Sequence, residues 1–460
     1  RGRRLSSGRR RRRGPVAGPS AGELWVAEAP RDLGDSGAME QPPPRGERPY
    51  RWVLFGATGF TGRLVAEYLL AHAPADTPWA IAGRSRGKLE TLRDELADRW
   101  PRARELPLLV ADSGDRSSLD ALAAAADVVA TTVGPYATYG SELVGACVAA
   151  GTHYCDLTGE VHFIRRMIDA HHEAARERGA RIVHCCGFDS IPSDLGTLMI
   201  TDALEARGAT PEAVRFYAGE SRGGFSGGTI ASMLALLDEA KRDREVRRIL
   251  GHPYALNPEG ARQGPDGSDQ TGVRFDEALG MWTAPFVMAA INTRVVRRSI
   301  ALRGASFGDG FRYSEVMSTG KGPAGLARAT AIAAGLGGFL AATSVGPLRR
   351  QLEKRLPAPG EGPSEAARQA GYFVIRLIGR GRGPDGQRVE VRGKVAGNQD
   401  PGYGETAKML GESAMCLALD GDKLPAAPGG GGVLTPATAM GTTLLDRLRA
   451  AGMTFEVEDA

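Results

Sequence analysis
From Arg51 onward, apolar and polar positions come in blocks that repeat: a short apolar run, a turn, then a stretch with apolar residues at helical spacing. WVLFGA, WAIAGRS, LPLLVADSGD, DVVATTVGPYATYG, HYCDLTGE and RIVHCCGFDSIPSDLG are the six strand candidates. Stretches such as TGRLVAEYLLAHA and SRGKLETLRDELADRW between them have helical spacing. Runs that are apolar throughout suit strands buried on both faces, so the pattern predicts a parallel sheet with helices on each side. Six such units by about residue 190 predict a Rossmann-type doubly wound α/β domain over residues 49–196.

After Gly196 the pattern changes. AVRFYAG and FRYSEVM read as strands separated by glycine-rich loops, and YFVIRLIGRGRGPDGQRVEVRGKVAG reads as an antiparallel pair joined through an Asp385-Gly386 turn. With the helical GETAKMLGESAMCLAL these predict a second, α+β domain for substrate or dimerisation over 197–425. Residues 426–460 give a helix and a short strand that pack back on the body. From Ala329 to Leu348 the chain carries no charge, with Arg328 before it and Arg349-Arg350 after it. A buried helix or interface is the first reading of that stretch, because Ala, Gly, Thr and Ser gain little in hydrocarbon; shallow lipid contact and a true span are the others.

Composition adds limits. Hydrophobic residues make 42% and charged residues 24% of 460, as expected for a globular chain of two domains. The net charge of +4 reflects an Arg-rich leader, and residues 1–48, rich in Arg, Pro and Gly, read as disordered, with a targeting signal as the alternative. Without the leader the body is mildly acidic, so no nucleic-acid partner is expected. Five scattered cysteines suit reduced thiols in the cytoplasm, with Cys185-Cys186 on a buried strand. No metal constellation is visible, and His171-His172 read as exposed on a polar helix.

The candidate chemistry gathers at the strand ends. Gly56, Ala57, Thr58, Gly59, Phe60, Thr61 and Gly62 follow the first strand and open a helix, where N–H groups and the helix dipole favour a phosphate. Some twenty residues on, an NAD-selective site places an acid for the ribose; this chain has Arg84, Ser85, Arg86 and Lys88, which favours a 2′-phosphate on Arg84 and Ser85, with Arg86 or Lys88 close by. Asp112 suits the adenine or the cap of the next helix. Gly134 and Pro135 shape the loop where a nicotinamide is expected, and Tyr136 beside them is either packing or a proton donor. Asp189 and Asp194 cap a helix, join the domains or face substrate.

Together VLFGATGFTGR, WAIAGRSRGKL, TVGPYATYG, CDLTGE, CGFDSIPSDLG and GGVLTPATAMGTTLLDRLRAAGMTF resemble the saccharopine dehydrogenase-like oxidoreductases, which include bacterial trans-acting enoyl reductases. The resemblance implies NADP(H), hydride transfer to a small-molecule or carrier-bound lipid or polyketide intermediate, and a peripheral membrane or lipid surface; a homodimer is also expected. A lipid-associated Rossmann protein without turnover and saccharopine reductase proper are the alternatives.

Overall fold
The computed structural model describes residues 42–223, 227–304, 310–353, 362–427 and 430–458. Its first half alternates strands with helices: β1 (Tyr50–Phe55), α1 (Phe60–His72), β2 (Trp79–Gly83), α2 (Arg86–Arg99), β3 (Leu108–Val110), α3 (Arg116–Ala124), β4 (Ala126–Thr131), α4 (Tyr136–Tyr139), α5 (Ser141–Ala150), β5 (His153–Asp156), α6 (Val161–Glu177), β6 (Arg181–Val183) and α7 (Ile191–Ala206). Ser85 and Asp115 accept N–H groups at the starts of α2 and α3. The second half holds β7 (Thr210–Arg222), α8 (Gly227–Arg242), α9 (Arg244–Gly251), β8 (Arg274–Asp276), β9 (Met281–Ala284), α10 (Ala289–Arg303), β10 (Arg312–Gly320), α11 (Gly322–Ser344), α12 (Gly346–Glu353), α13 (Glu365–Gln369), β11 (Tyr372–Arg382), β12 (Arg388–Gly397) and α14 (Thr406–Leu419). The chain then closes with β13 (Gly432–Leu434), α15 (Pro436–Ala439), α16 (Gly441–Ala450) and β14 (Thr454–Glu458).

Two seven-stranded sheets result. The first runs β13-β6-β5-β4-β1-β2-β3 with every pairing parallel, the order of a Rossmann sheet with one strand added at its edge. The second runs β14-β12-β11-β7-β10-β9-β8 and is mixed: β10 pairs β7 in parallel, and the other neighbours are antiparallel. The β11–β12 hairpin turns at Asp385-Gly386, where Gly386 takes φ +80°. Helix α7 is buried along nearly its whole length and packs on β7, β11 and β12, so it joins the two halves. The closing segment packs on both halves, because β13 extends the first sheet and β14 edges the second.

Several expectations change. Of the leader, residues 1–41 lie outside the described residues, but 42–48 are ordered: Arg48 is buried and donates to the carbonyls of Ala126 and Ala150, and the Gly46 N–H donates to Asp127. Cys185 is beyond the end of β6, not on a strand, in a left-handed turn at φ +63°. His172 is half-buried; its Nδ1 accepts the Val433 N–H and helps hold β13. The uncharged stretch is not a buried helix. It lies in α11 and the start of α12, α11 is long and apolar enough to cross a membrane, and only 11% of its apolar window is buried. Leu326, Leu340 and Leu348 are exposed.

Candidate active site
The glycine loop sits between β1 and α1 at the carboxyl edge of the first sheet. Its glycines differ in what the fold asks of them. Gly56 takes φ +86°, and a Cβ there would lie 2.7 Å from Val133. A Cβ at Gly62 would lie 2.2 Å from the Gly56 carbonyl oxygen, a backbone atom that cannot turn aside. At Gly59 the nearest atom to an added Cβ is that same oxygen at 3.4 Å, an ordinary contact, so the turn does not require glycine there. Gly59 is exposed and starts α1 with no side-chain cap, which leaves first-turn N–H groups to an outside acceptor. Ala57 is fully buried under the loop. The hydroxyls of Thr58 and Thr61 make no hydrogen bond among the described residues, and Thr58 is exposed. The Phe60 ring turns away from the loop, edge-on to Tyr403 at 4.8 Å with Arg368 over its face at 5.6 Å.

The end of β2 lies alongside, since Thr58 Oγ1 is the second-nearest atom to a Cβ built at Gly83. Arg84 and Lys88 are exposed, and their cations have no partner among the described residues. Ser85 caps α2 by accepting the Lys88 N–H, and Arg86 pairs with Glu90 at 3.1 Å. Asp112 is exposed and folds its own turn, accepting the Gly114 N–H at 2.8 Å; Asp115, not Asp112, caps α3. The end of β4 completes this side: the Thr132 hydroxyl donates to the Gly56 carbonyl, and Val133 packs on Gly56. The cradle fits a dinucleotide phosphate: uncapped first-turn N–H groups after an exposed Gly59, and two cations without a partner among the described residues.

The other end of the edge is closed. Gly134 is exposed and Pro135 precedes α4, but Tyr136 is buried; its hydroxyl donates to the Thr131 carbonyl and accepts the Leu157 N–H, each at 3.2 Å. That double engagement, with burial holding the phenol well above its ordinary range, fixes the loop and presents no proton to an open site. Glu160 caps α4, accepting the N–H groups of Tyr136 and Ala137 at 2.9 and 2.8 Å. Asp156 accepts from the Tyr154 hydroxyl and from the Thr158 and Cys185 N–H groups, and is 2.7 Å from His184 Nδ1. Asp194 is joined to Ser299 of α10 and to the Ala437 N–H of α15, so it ties the halves together; burial pushes it up to about 6. Joining the domains is one of the roles the sequence offers for Asp194, whereas those of Asp156 and Glu160 escape it because their partners are backbone groups and side chains from other segments. Asp189, at the same edge, neither caps α7 nor joins an ion pair among the described residues.

Residues 52–183 match the saccharopine dehydrogenase NADP binding domain. A Mycobacterium tuberculosis protein whose name assigns it to the trans-acting enoyl reductases is 46% identical over 425 residues, 89% of this chain and 97% of its own. A Mycobacterium ulcerans trans-acting enoyl reductase is 41% identical over 88% of this chain and 97% of its own. Among solved structures, apo saccharopine dehydrogenase (L-Glu forming) from Saccharomyces cerevisiae aligns over 88% of this chain and 99% of its own, at TM-score 0.47 and 15% identity.

Proposed function
The chain belongs to the trans-acting enoyl reductase family, an NADP-dependent oxidoreductase by its amino-terminal domain, and from that premise we propose that it reduces the double bond of an enoyl thioester in a lipid or polyketide intermediate. The observation that carries the reading is the extent of the likeness, since the relatives so named match over 97% of their length. When bound, NADPH supplies the hydride for the β-carbon. The N–H groups around Gly59 and the hydroxyls of Thr58 and Thr61 would hold the pyrophosphate. Arg84, Ser85 and Lys88 would hold the 2′-phosphate, and Gly134 and Pro135 would border the nicotinamide. The closed, hydrogen-bonded end at Tyr136, Asp156 and Glu160 keeps water from the reacting centre, which favours reduction by a hydride donor. Purified protein given NADPH and an enoyl thioester should oxidise NADPH only when the thioester is present; oxidation of saccharopine with NADP⁺ in place of that activity would contradict the reading.

A second reading concerns location. The exposed apolar length of α11, with Leu326 39% and Leu340 42% accessible, favours a protein peripheral to a lipid surface. Wild-type protein should float with vesicles of anionic phospholipid, and Leu326→Glu/Leu340→Glu should stay at the bottom of the gradient. A stable dimer in light scattering that the same pair of changes splits would assign α11 to a second copy.

A further inference from the structure
One carboxylate at the closed end keeps an oxygen with no partner among the described residues, although its own backbone N–H supports the charged form. Asp189 lies in the turn between β6 and α7, and its Oδ2 is buried with no hydrogen-bond partner among the described residues. Two other buried carboxylate oxygens lack a hydrogen bond, Asp127 Oδ2 and Glu405 Oε2, but Arg51 and Lys408 pair with them. Asp189 has neither a donor nor a cation at that oxygen. A Cβ built at Gly187 would meet Leu157 at 2.7 Å, Asp189 Oδ2 at 2.9 Å and the Thr406 methyl at 3.0 Å, so the carboxyl fills a slot between the end of β5, its own turn and the start of α14. The slot sits on the seam of the two halves, where the neighbouring Phe188 meets Phe373 of the second sheet edge-on at 4.8 Å. The turn itself is held in an uncommon shape: Cys185 is left-handed at φ +63°, and Asp156 accepts its N–H. Such strain persists only where the surroundings enforce it, and it gathers at functional sites.

We propose that Asp189 is the general acid of the reduction, the group that protonates the α-carbon once hydride has reached the β-carbon. The inference rests on the enoyl-reductase reading above. Burial first, and the negative charge of Asp156 second, push the Asp189 carboxyl up to about 7, so near neutral pH a large fraction carries its proton. The titratable groups that face it are Asp156 from the end of β5, Tyr136 from α4 and Cys185 from its own turn. Glu405 and Lys408 at the start of α14 neutralise each other, and His184 is turned to Asp156. In the step, the Asp189 O–H bond breaks and a C–H bond forms at the α-carbon, on the electron pair released when the C=C π bond opens. Both reducing electrons arrive with the hydride, and the Asp189 carboxylate recovers its proton from solvent only after product has left and the site has opened.

Asp189→Asn keeps the shape and removes the proton. NADPH affinity and melting temperature should stay near wild type, while kcat for an enoyl thioester falls ~10²–10⁴-fold and the loss of rate that the wild type shows above about pH 7 disappears. Asp189→Glu should recover part of kcat. Without cofactor or turnover, carbon NMR of aspartate-labelled protein should show a carboxyl titrating near 7 that Asp189→Asn lacks and Asp189→Glu, the fallback should the Asn chain not fold, also removes from the aspartate set. Wild-type kcat in folded Asp189→Asn, or no such titration, overturns the assignment. A wild type with that titration but no thioester-dependent NADPH oxidation overturns instead the enoyl-reductase reading, and the acid's role with it.

Discussion
The two ends of the first sheet's carboxyl edge are built on opposite rules. Around β1 and β2, polar groups are left open: Gly59 with its bare helix start, Thr58, Arg84 and Lys88. Around β5 and β6, polar groups are buried and tied together, with Asp156 accepting from four groups and Glu160 from two backbone N–H groups. Phosphates bring charge that needs free donors at an accessible surface, whereas a reacting double bond needs water kept away and geometry fixed. The difference separates polar residues left open from loop-holding ones that look equally polar in the sequence. Tyr136 and Arg84 illustrate it: both were site candidates, but one is engaged with backbone on both sides and the other is unengaged.

Breaking the closed end should have the largest effect. Asp156→Asn removes the partner of His184 and weakens the hold on Cys185 inside the core, at an expected cost of ~3–5 kcal/mol in urea unfolding. A cost below ~1 kcal/mol would mean that the network is not what fixes this end. At the open end, Gly62→Ala places a methyl against the Gly56 carbonyl and should destabilise by about 3 kcal/mol.

Glu315 tests the buried polar groups away from the edge. It is hydrogen-bonded by Tyr313 and Asn292, and burial pushes it up to about 7. Its folded-state pKa lies above the unfolded one, so its stabilising contribution is complete below about 4.5 and is lost as pH rises through about 7. Glu315→Gln cannot ionise and should therefore gain on wild type by about 1–3 kcal/mol between pH 5 and pH 8, read as the pH dependence of the difference in Tm. A constant difference would contradict the buried-carboxyl account. The smallest expected effect on stability is at Gly59→Ala, under about 1 kcal/mol, because the turn has room for the methyl; its effect should appear in NADPH affinity. That separation from Gly62→Ala is the sharpest check on which glycine serves the turn and which serves a ligand.

Much of the first sheet was legible because its strands are apolar on both faces and its helices are regular. The hairpin was legible from Asp385-Gly386. β13 was not, since three residues after a glycine run carry no period and its place depends on pairing with β6 and on His172. Nor was α10: its buried faces carry Arg294, Arg297 and Arg298, which break the apolar pattern and are stable there only because Asp269, Asp266 and the carbonyls of Leu256 and Val433 receive them. The glycine turn and the exposed cations at the end of β2 were legible because both are local features of one βαβ unit. The closed end was not, because its carboxylates act on groups supplied by other loops.

Titration of wild type and Arg84→Asp with NADPH and with NADH tests the central claim most directly. Wild type should bind NADPH at least about tenfold more tightly than NADH, and Arg84→Asp should remove most of that preference by weakening NADPH alone. Equal affinity of the wild type for both, or an equal loss for both in Arg84→Asp, would contradict it.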